Sequence, residues 1–428
     1  MSFIKAPVKG MCDILPADMR LRQEVLQLIK RNYLRYGFME IETPAMEHIE
    51  NLCSNQGGDN EKLIFKVLKR GKALANVLVE TQFNELADSG LRYDLTVPLA
   101  RYYANNSERI PTPFKALQIG NVWRADKPQK GRFRQFTQCD IDVLGDNSNL
   151  AEIELIAATA DTLSQIFENA NISGLTVHIN DRRILRAVCK QVGFQAEDAA
   201  SVLVSLDKLD KIGMEGVRKE LLGNGHSEAL VDRYLGFYTN NNKENCADFC
   251  QTIAAELLDR SVVNNIEEII LCVNKMLPRQ VKVVFDPTLV RGMGYYTGTI
   301  FEITLDEYPF SIAGGGRYDE MIGRFSGVNI CACGFSIGFE RIITILKEAQ
   351  REPVQLGGNS LAILVQKDVS PEQKAAIFAQ AQRLRERGRI VSIYPMKKNL
   401  NAQFNRLEEE GFTEFQKVYA NQKGALYE

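Results

Sequence analysis

The chain has 428 residues, 45% of them hydrophobic and 25% charged, and its 52 Lys and Arg nearly balance 54 Asp and Glu for a net charge of −2. That length and balance fit an ordinary soluble globular protein of two or three domains and exclude a globally basic nucleic-acid-binding field, while a local basic surface remains compatible with them. No apolar run is long enough to span a bilayer and the N-terminus (Met-Ser-Phe-Ile-Lys-Ala-Pro-Val-Lys) has no apolar signal region, so no membrane is expected; nine scattered cysteines without a C-x-x-C pair, and the separated His48, His178 and His226, speak against structural zinc and for reduced thiols in a cytosolic protein.

In chain order, residues 17–36 predict a helix, because Leu21, Val25, Leu28, Ile29 and Leu34 fall near a 3.6-residue period with charges between them. Gly37 can end it, and Phe38–Pro44 reads as a strand whose proline must sit at an edge or an end. Short strands are expected at 63–69 and 76–80. Thr96 is placed to cap a helix over Val97–Tyr103, with Pro98 tolerated in its first turn. Residues 150–169 predict a long helix, and from 183 to 272 charged amphipathic helices succeed one another as an inserted module would. Strands return at 281–286 and 299–304, Gly314-Gly315-Gly316 reads as a tight turn, and a strand passes into a helix over 333–347. Arg351–Ser360, with Pro353, Gly357 and Gly358, is a linker candidate. Beyond it, strands at 361–366, 390–394 and 414–419 alternate with helices at 371–387 and 399–409, which predicts a small parallel or mixed sheet.

Chemistry concentrates at 124–142. A turn-forming cationic loop with Lys127, Lys130, Arg132 and Arg134 runs into a strand-like segment in which Gln138, Asp140 and Asp142 share one face and Cys139, Ile141 and Val143 the other. An amide and two carboxylates behind a guanidinium-rich loop suit a polyphosphate held beside a small polar or cationic molecule; a solvated hairpin with a polar outer face explains the same pattern. Arg124, Arg132, Arg291 and Arg341 all stand beside turns or element ends. Phosphate transfer needs such fixed positive charge, and the planar guanidinium binds phosphate oxygens bidentately. Tyr295 and Tyr296 follow two glycines and can pack in a hairpin or offer a phenol to a buried ligand, while Asp94-x-Thr96 can cap a helix or receive an ammonium group.

Taken together, Leu91-Arg-Tyr-Asp-Leu-Thr-Val-Pro-Leu-Ala-Arg101, the loop 120–145, Arg291-Gly-Met-Gly-Tyr-Tyr-Thr-Gly298 and Gly334-Phe-Ser-Ile-Gly-Phe-Glu-Arg341 resemble the histidyl-tRNA synthetases, a family of class II aminoacyl-tRNA synthetases, in order and over nearly the whole chain. The resemblance implies an α+β fold: a class II antiparallel sheet core with helices over 1–180 and 277–350, a helical insertion at 183–272, and an α/β domain at 360–428 resembling an anticodon-binding domain. That last domain reads as abbreviated, because the chain ends about nine residues after its third predicted strand. The resemblance also implies a cytoplasmic homodimer, with Phe38–Pro44 at the interface, using ATP and Mg²⁺, L-histidine and tRNA(His), and no metal ligand set of the protein's own. By the same resemblance, Arg124 and Arg291 serve catalysis near the α-phosphate, Arg124, Asp126, Arg132 and Arg341 bind ATP, and Asp94, Thr96 and Gln138 hold the histidine ammonium. Asp142 and Tyr296, with Tyr295 close by, match the positions that recognise the imidazole, and Arg291 faces the histidine carboxylate.

The chain departs from the family pattern in reading Arg124-Ala-Asp126 where Arg-x-Glu is usual, in carrying Asp142 for a common glutamate and Gly294 for a frequent aspartate, and in having Met11-Cys12 where Thr-Arg is common. The expected function is activation of histidine to histidyl-adenylate and its transfer to tRNA(His). The alternative is a histidine-sensing regulatory subunit of ATP phosphoribosyltransferase, which would not need Arg124, Arg132 and Arg341. A class II synthetase for another amino acid is disfavoured by Arg291–Gly298.

Overall fold

The structure, a computed structural model, describes residues 3–53, 58–79, 85–128, 131–240, 245–291, 294–308, 310–349 and 359–421. The chain divides into two compact units, one of Met1–Asp13 with Val25–Ala349 and the other of Ile14–Glu24 with Gln350–Glu428. The expected linker at Arg351–Ser360 lies outside the described residues except for Asn359 and Ser360.

The strands of the larger unit, in chain order, are β1 (Met39–Glu40), β2 (Met46–His48), β3 (Lys66–Leu68), β4 (Ala87–Leu91), β5 (Phe114–Trp123), β6 (Gln135–Leu144), β7 (Leu175–Asp181), β8 (Lys282–Phe285), β9 (Thr299–Leu305), β10 (Ser311–Arg317) and β11 (Ala332–Gly338). Eight of them form one sheet in the order β1-β5-β6-β11-β10-β9-β7-β8. Its middle ladders are antiparallel, while β1 on β5 and β8 on β7 are parallel. The helix Leu150–Glu168 buries Leu155, Ile156, Leu163 and Phe167, the apolar stripe that covers such a sheet. Between β7 and β8 the chain runs through helices from Arg182–Val192 to Arg260–Met276. No described helix is long and apolar enough to cross a membrane.

In the smaller unit β12 (Ser360–Val365) lies between β13 (Ile390–Pro395) and β14 (Glu414–Val418), all parallel. Leu361 and Ile363 pack in one cluster and Ala362 and Leu364 in another, so this strand is apolar on both faces, as a covered central strand must be. Helix Pro371–Glu386 opens on a capping box, in which Ser370 and Gln373 satisfy each other's backbone N–H groups.

The structure corrects several sequence expectations. Residues 76–80, expected as a strand, fall in the helix Gly71–Val79, whose Ala73, Leu74 and Ala75 favour helix, with residue 80 outside the described residues. The strand expected over Phe38–Pro44 is ordered as strand only at Met39–Glu40. Thr96 does not cap its helix; the Asp94 carboxylate does, accepting the Val97 N–H at 3.0 Å. The glycines 314–316 are no turn but the centre of β10, flanked by β9 and β11. A Cβ at Gly315 would lie 2.0 Å from the Gly334 carbonyl oxygen, so glycine is there for close approach of strands and not for a bend. Gly315→Ala is expected to lower the unfolding free energy by about 1–3 kcal/mol or more through overpacking, read as a lower thermal midpoint; an unchanged midpoint would mean the sheet opens freely there.

Candidate functional site

The sheet's polar face is built from β6 and β11. Being central, β6 is covered on both sides, and every residue from Thr137 to Leu144 is buried. The solvated-hairpin reading of this strand therefore fails: Asp140 and Asp142 are each only 4% exposed. Gly334 pairs opposite Asp142 and Ser336 opposite Asp140. Asp142 accepts a hydrogen bond from the Tyr318 hydroxyl at 2.5 Å, and Gln138 donates to Ser336 Oγ at 2.9 Å. The Oε1 atom of Gln138 is buried without a partner, an acceptor that a ligand's N–H would satisfy.

These residues line a single cleft of about 680 Å³. Every residue expected from the sequence reaches it: Asp94, Thr96, Arg124, Asp126, Arg132, Gln138, Asp142, Arg291, Tyr295, Tyr296 and Arg341. The cleft has the size of sites that enclose ligands of nucleotide dimensions.

Two groups of opposite charge share it. Burial raises the Asp142 pKa to about 7; the Tyr318 hydrogen bond opposes the rise and the charge of Asp94 adds to it. Asp140 is pushed well above the usual carboxylate range by burial and by Asp142. Three carboxylates held this close need a cation or hydrogen-bond donors to be fully ionised. On the other side of the balance, Arg341 is lowered by burial and by the charges of Arg132, Arg291 and Arg124. Such a mutually repelling set of guanidinium groups is relieved by an anion.

Each arginine is aimed by local contacts. Arg124 donates through Nε to the Tyr93 carbonyl at 3.0 Å, with its guanidinium 4.3 Å from the Tyr93 ring centre and 5.1 Å from that of Phe136. Arg132 lies 3.5 Å from Asp126 and is half exposed. Arg341 donates to the Ser311 carbonyl and sits over the Phe310 ring, 5.2 Å from its centre. Arg291 pairs with Glu302. The space a Cβ would take at Gly314 is occupied by the Arg291 guanidinium, so β10 lacks a side chain where the arginine crosses it. Tyr295 and Tyr296 pack with ring centres 4.6 Å apart and planes tilted by 51°, and Tyr295 meets Tyr318 edge-on at 5.8 Å.

Sequence reasoning did not assign several cleft residues to a site. Asp140 was visible as a carboxylate on the same strand face. Tyr318 and Glu302 carry no local signal; each acquires its place only through strand pairing. His178, hydrogen-bonded at 3.0 Å to both Asp286 and Thr304, also borders the cleft, although β7 and β8 are far apart in sequence. No cluster of three or more His, Cys, Asp or Glu suited to a metal occurs among the described residues.

Comparison with known proteins gives concordant findings. A family model described as histidyl-tRNA synthetase matches residues 10–342. The histidine–tRNA ligase of Leifsonia xyli subsp. xyli is 42% identical over 426 residues, covering 97% of this chain and 95% of the relative. The probable histidine–tRNA ligase of Tropheryma whipplei (strain Twist) is 40% identical over 423 residues, covering 96% and 94%. Among solved structures, histidyl-tRNA synthetase from Nostoc sp. PCC 7120 superposes with a TM-score of 0.75 at 28% identity, covering 96% of this chain and 90% of that one. An ATP phosphoribosyltransferase regulatory subunit/histidyl-tRNA synthetase from Bacillus halodurans C gives 0.76 over 98% and 99% at 21% identity, a likeness of fold alone.

Proposed function

The chain belongs to the histidyl-tRNA synthetase family and has the activity of a histidine–tRNA ligase, and from that premise we propose how its cleft performs the reaction. The observation that carries the proposal is the joint lining of one cleft by buried carboxylates and converging arginines. A histidine ammonium is held by Asp94, Thr96 and Gln138. Its imidazole meets Asp142 and Tyr296, with Tyr295 packed beside them. Arg124 and Arg291 face the α-phosphate of ATP from either side of the attacking carboxylate, and Arg132 and Arg341 hold the β- and γ-phosphates. Asp126, paired with Arg132, takes the adenine-side role of the family glutamate.

The chemistry is positional and electrostatic. A carboxylate oxygen of histidine bonds to the α-phosphorus, the bond from that phosphorus to the bridging oxygen breaks, and pyrophosphate leaves with the electron pair. Fixed guanidinium groups stabilise the charge gathering on the phosphoryl oxygens, and no protein nucleophile or obligatory general base is needed. The hydroxyl oxygen of the tRNA 3′ end then bonds to the histidyl carbonyl carbon, the bond from that carbon to the phosphate oxygen breaks, and AMP leaves with the electron pair while the hydroxyl proton passes to the departing phosphate. Mg²⁺ fits as an ion that arrives with the nucleotide: it keeps waters and phosphate oxygens as ligands and asks only one or two carboxylates of a protein. Glu340, which lines the cleft next to Arg341, is placed to supply one. When bound, the ion would neutralise phosphate charge, while Arg124, Arg132, Arg291 and Arg341 hold the phosphate oxygens.

Further assignments belong to the same proposal. Residues 1–180 and 277–350 form the catalytic core, 183–272 the helical insertion, and 360–428 an anticodon-binding-like domain that engages tRNA(His). The protein works in the cytoplasm as a homodimer through Phe38–Pro44.

Amino-acid-dependent ATP–pyrophosphate exchange tests the whole reading. Histidine alone among the amino acids is expected to support exchange, because a site with buried polar groups rejects analogues lacking the imidazole by about 10⁴–10⁵-fold. Histidine binding without exchange would remove the catalytic roles given to the arginines.

A further inference from the structure

The loop carrying Arg291, Tyr295 and Tyr296 is not held by the sheet ladder alone. β8 ends at Phe285, and the Asp286 N–H makes one further ladder bond, to the Ile179 carbonyl at 2.9 Å. Beyond that point two side chains at the junction of β7 with the helix Arg182–Val192 take over. Asn180 donates through Nδ2 to the carbonyls of Pro287 at 3.2 Å and Leu289 at 3.1 Å, while its Oδ1 accepts the Asp181 N–H at 2.8 Å. Arg182 donates through Nη1 to the Arg291 carbonyl at 3.2 Å. Alternate carbonyls at 287, 289 and 291 are thus held by alternate residues 180 and 182. The backbone N–H of Arg182 also donates to the Gly298 carbonyl at 3.0 Å, so this one residue ties both stems of the 291–298 loop.

Neither residue lines the cleft, and both are buried, Asn180 completely and Arg182 to 6% exposure. Arg182 is costly to keep there: its Nε is buried without a partner. A long apolar side chain would fill the space without that desolvation cost. A stability role therefore explains the arginine poorly, whereas a backbone carbonyl that must be held in one place explains it well.

We propose that Asn180 and Arg182 are positioning residues for adenylation, acting through the backbone of Leu289–Arg291 to fix the Arg291 guanidinium against the α-phosphate. The inference rests on the role given to Arg291 above. A displacement of about 1 Å at a reacting centre can cost on the order of 10²-fold in rate.

The test is histidine-dependent ATP–pyrophosphate exchange by the full chain carrying Arg182→Met, Arg182→Lys or Asn180→Ser, alone and combined with Arg291→Ala. Arg182→Met is expected to lower kcat by about 10- to 100-fold with the KM for ATP moved by less than about threefold, and Arg182→Lys, which keeps a donor, to recover most of the rate. With Arg291 already removed, Arg182→Met should add less than about twofold, since residues acting as a unit are not additive. A parent-like kcat for Arg182→Met, or a full additional loss without Arg291, overturns the inference. Should Arg182→Met not fold, Asn180→Ser and Arg182→Lys carry the same comparison in both backgrounds. If Arg291→Ala alone leaves exchange intact, the assignment of Arg291 fails first; if it is slow while the Arg182 and Asn180 variants are not, only the positioning role falls.

Discussion

Arg291→Ala is expected to slow histidine-dependent ATP–pyrophosphate exchange by on the order of 10²–10³-fold, the effect of deleting one preorganised donor from a site where negative charge develops. Burial opposes the charge of this guanidinium, yet Glu302, Tyr296 and Asp207 hold its pKa above the ordinary arginine value, so it is a cation at every working pH. Removal takes away that cation and leaves Glu302, its partner, facing incoming phosphates without compensation. Both effects fall on the step in which phosphoryl charge builds, so the loss should appear in kcat more than in the KM for histidine. Arg291→Lys should lie between the two, because an ammonium keeps the charge and loses the planar fork. Exchange by Arg291→Ala within threefold of the parent would show that Arg124 alone serves the α-phosphate.

Features legible in the sequence were those with a local cause. The helix Leu150–Glu168 and the alternating elements of the smaller unit follow from apolar periodicity over their own lengths. The polar face of Gln138, Asp140 and Asp142 follows from strand alternation, but period two says only that they lie together. Their burial depends on strands outside their own segment, β5 on one side of β6 and β11, nearly two hundred residues on, on the other. The same non-local cause misled the reading of Gly314–Gly316. Three glycines in a row are a turn by local propensity, and a strand only because β9 and β11 press on both sides. Thr96 lost its cap role to Asp94 by two positions, a shift that helix propensity cannot resolve. Glu302 and Tyr318 illustrate the limit most sharply: each is ordinary in its own segment and becomes part of the site through a side chain from another segment, Arg291 of the β8–β9 connection and Asp142 of β6.

The second large effect is expected from Asp142 and is a dependence on pH. Burial lifts its pKa from an ordinary aspartate value to about 7, against the hydrogen bond from Tyr318 and with the help of Asp94. Tyr295, Tyr296, Tyr318 and Cys333 surround it, all raised by burial, and Asp140 beside it is likewise held above the ordinary carboxylate range, so Asp142 is the group whose titration near neutrality decides the profile. An ionised Asp142 accepts a charge-assisted hydrogen bond from an imidazole N–H that the protonated carboxyl cannot match, so tight histidine binding expels a proton below pH of about 7. The KM for histidine is then expected to rise by up to about tenfold for each unit below that pH, beyond the rise due to the amino acid's own titration. Tyr318→Phe removes an interaction that favours the charged form and should move the onset of this limb upward. Asp142→Asn should abolish the limb and lower kcat/KM for histidine by about 10- to 100-fold at neutral pH, the worth of a hydrogen bond to a charged group. Stability runs the opposite way. The folded-state value exceeds the unfolded one, so the native chain holds the extra proton between pH of about 4 and about 7, and the stabilisation linked to it is lost as pH rises through that window. Asp142→Asn should therefore raise the thermal midpoint at pH 8 relative to the parent by more than at pH 5. A variant whose histidine KM keeps the parent's full pH profile would place imidazole recognition elsewhere in the cleft.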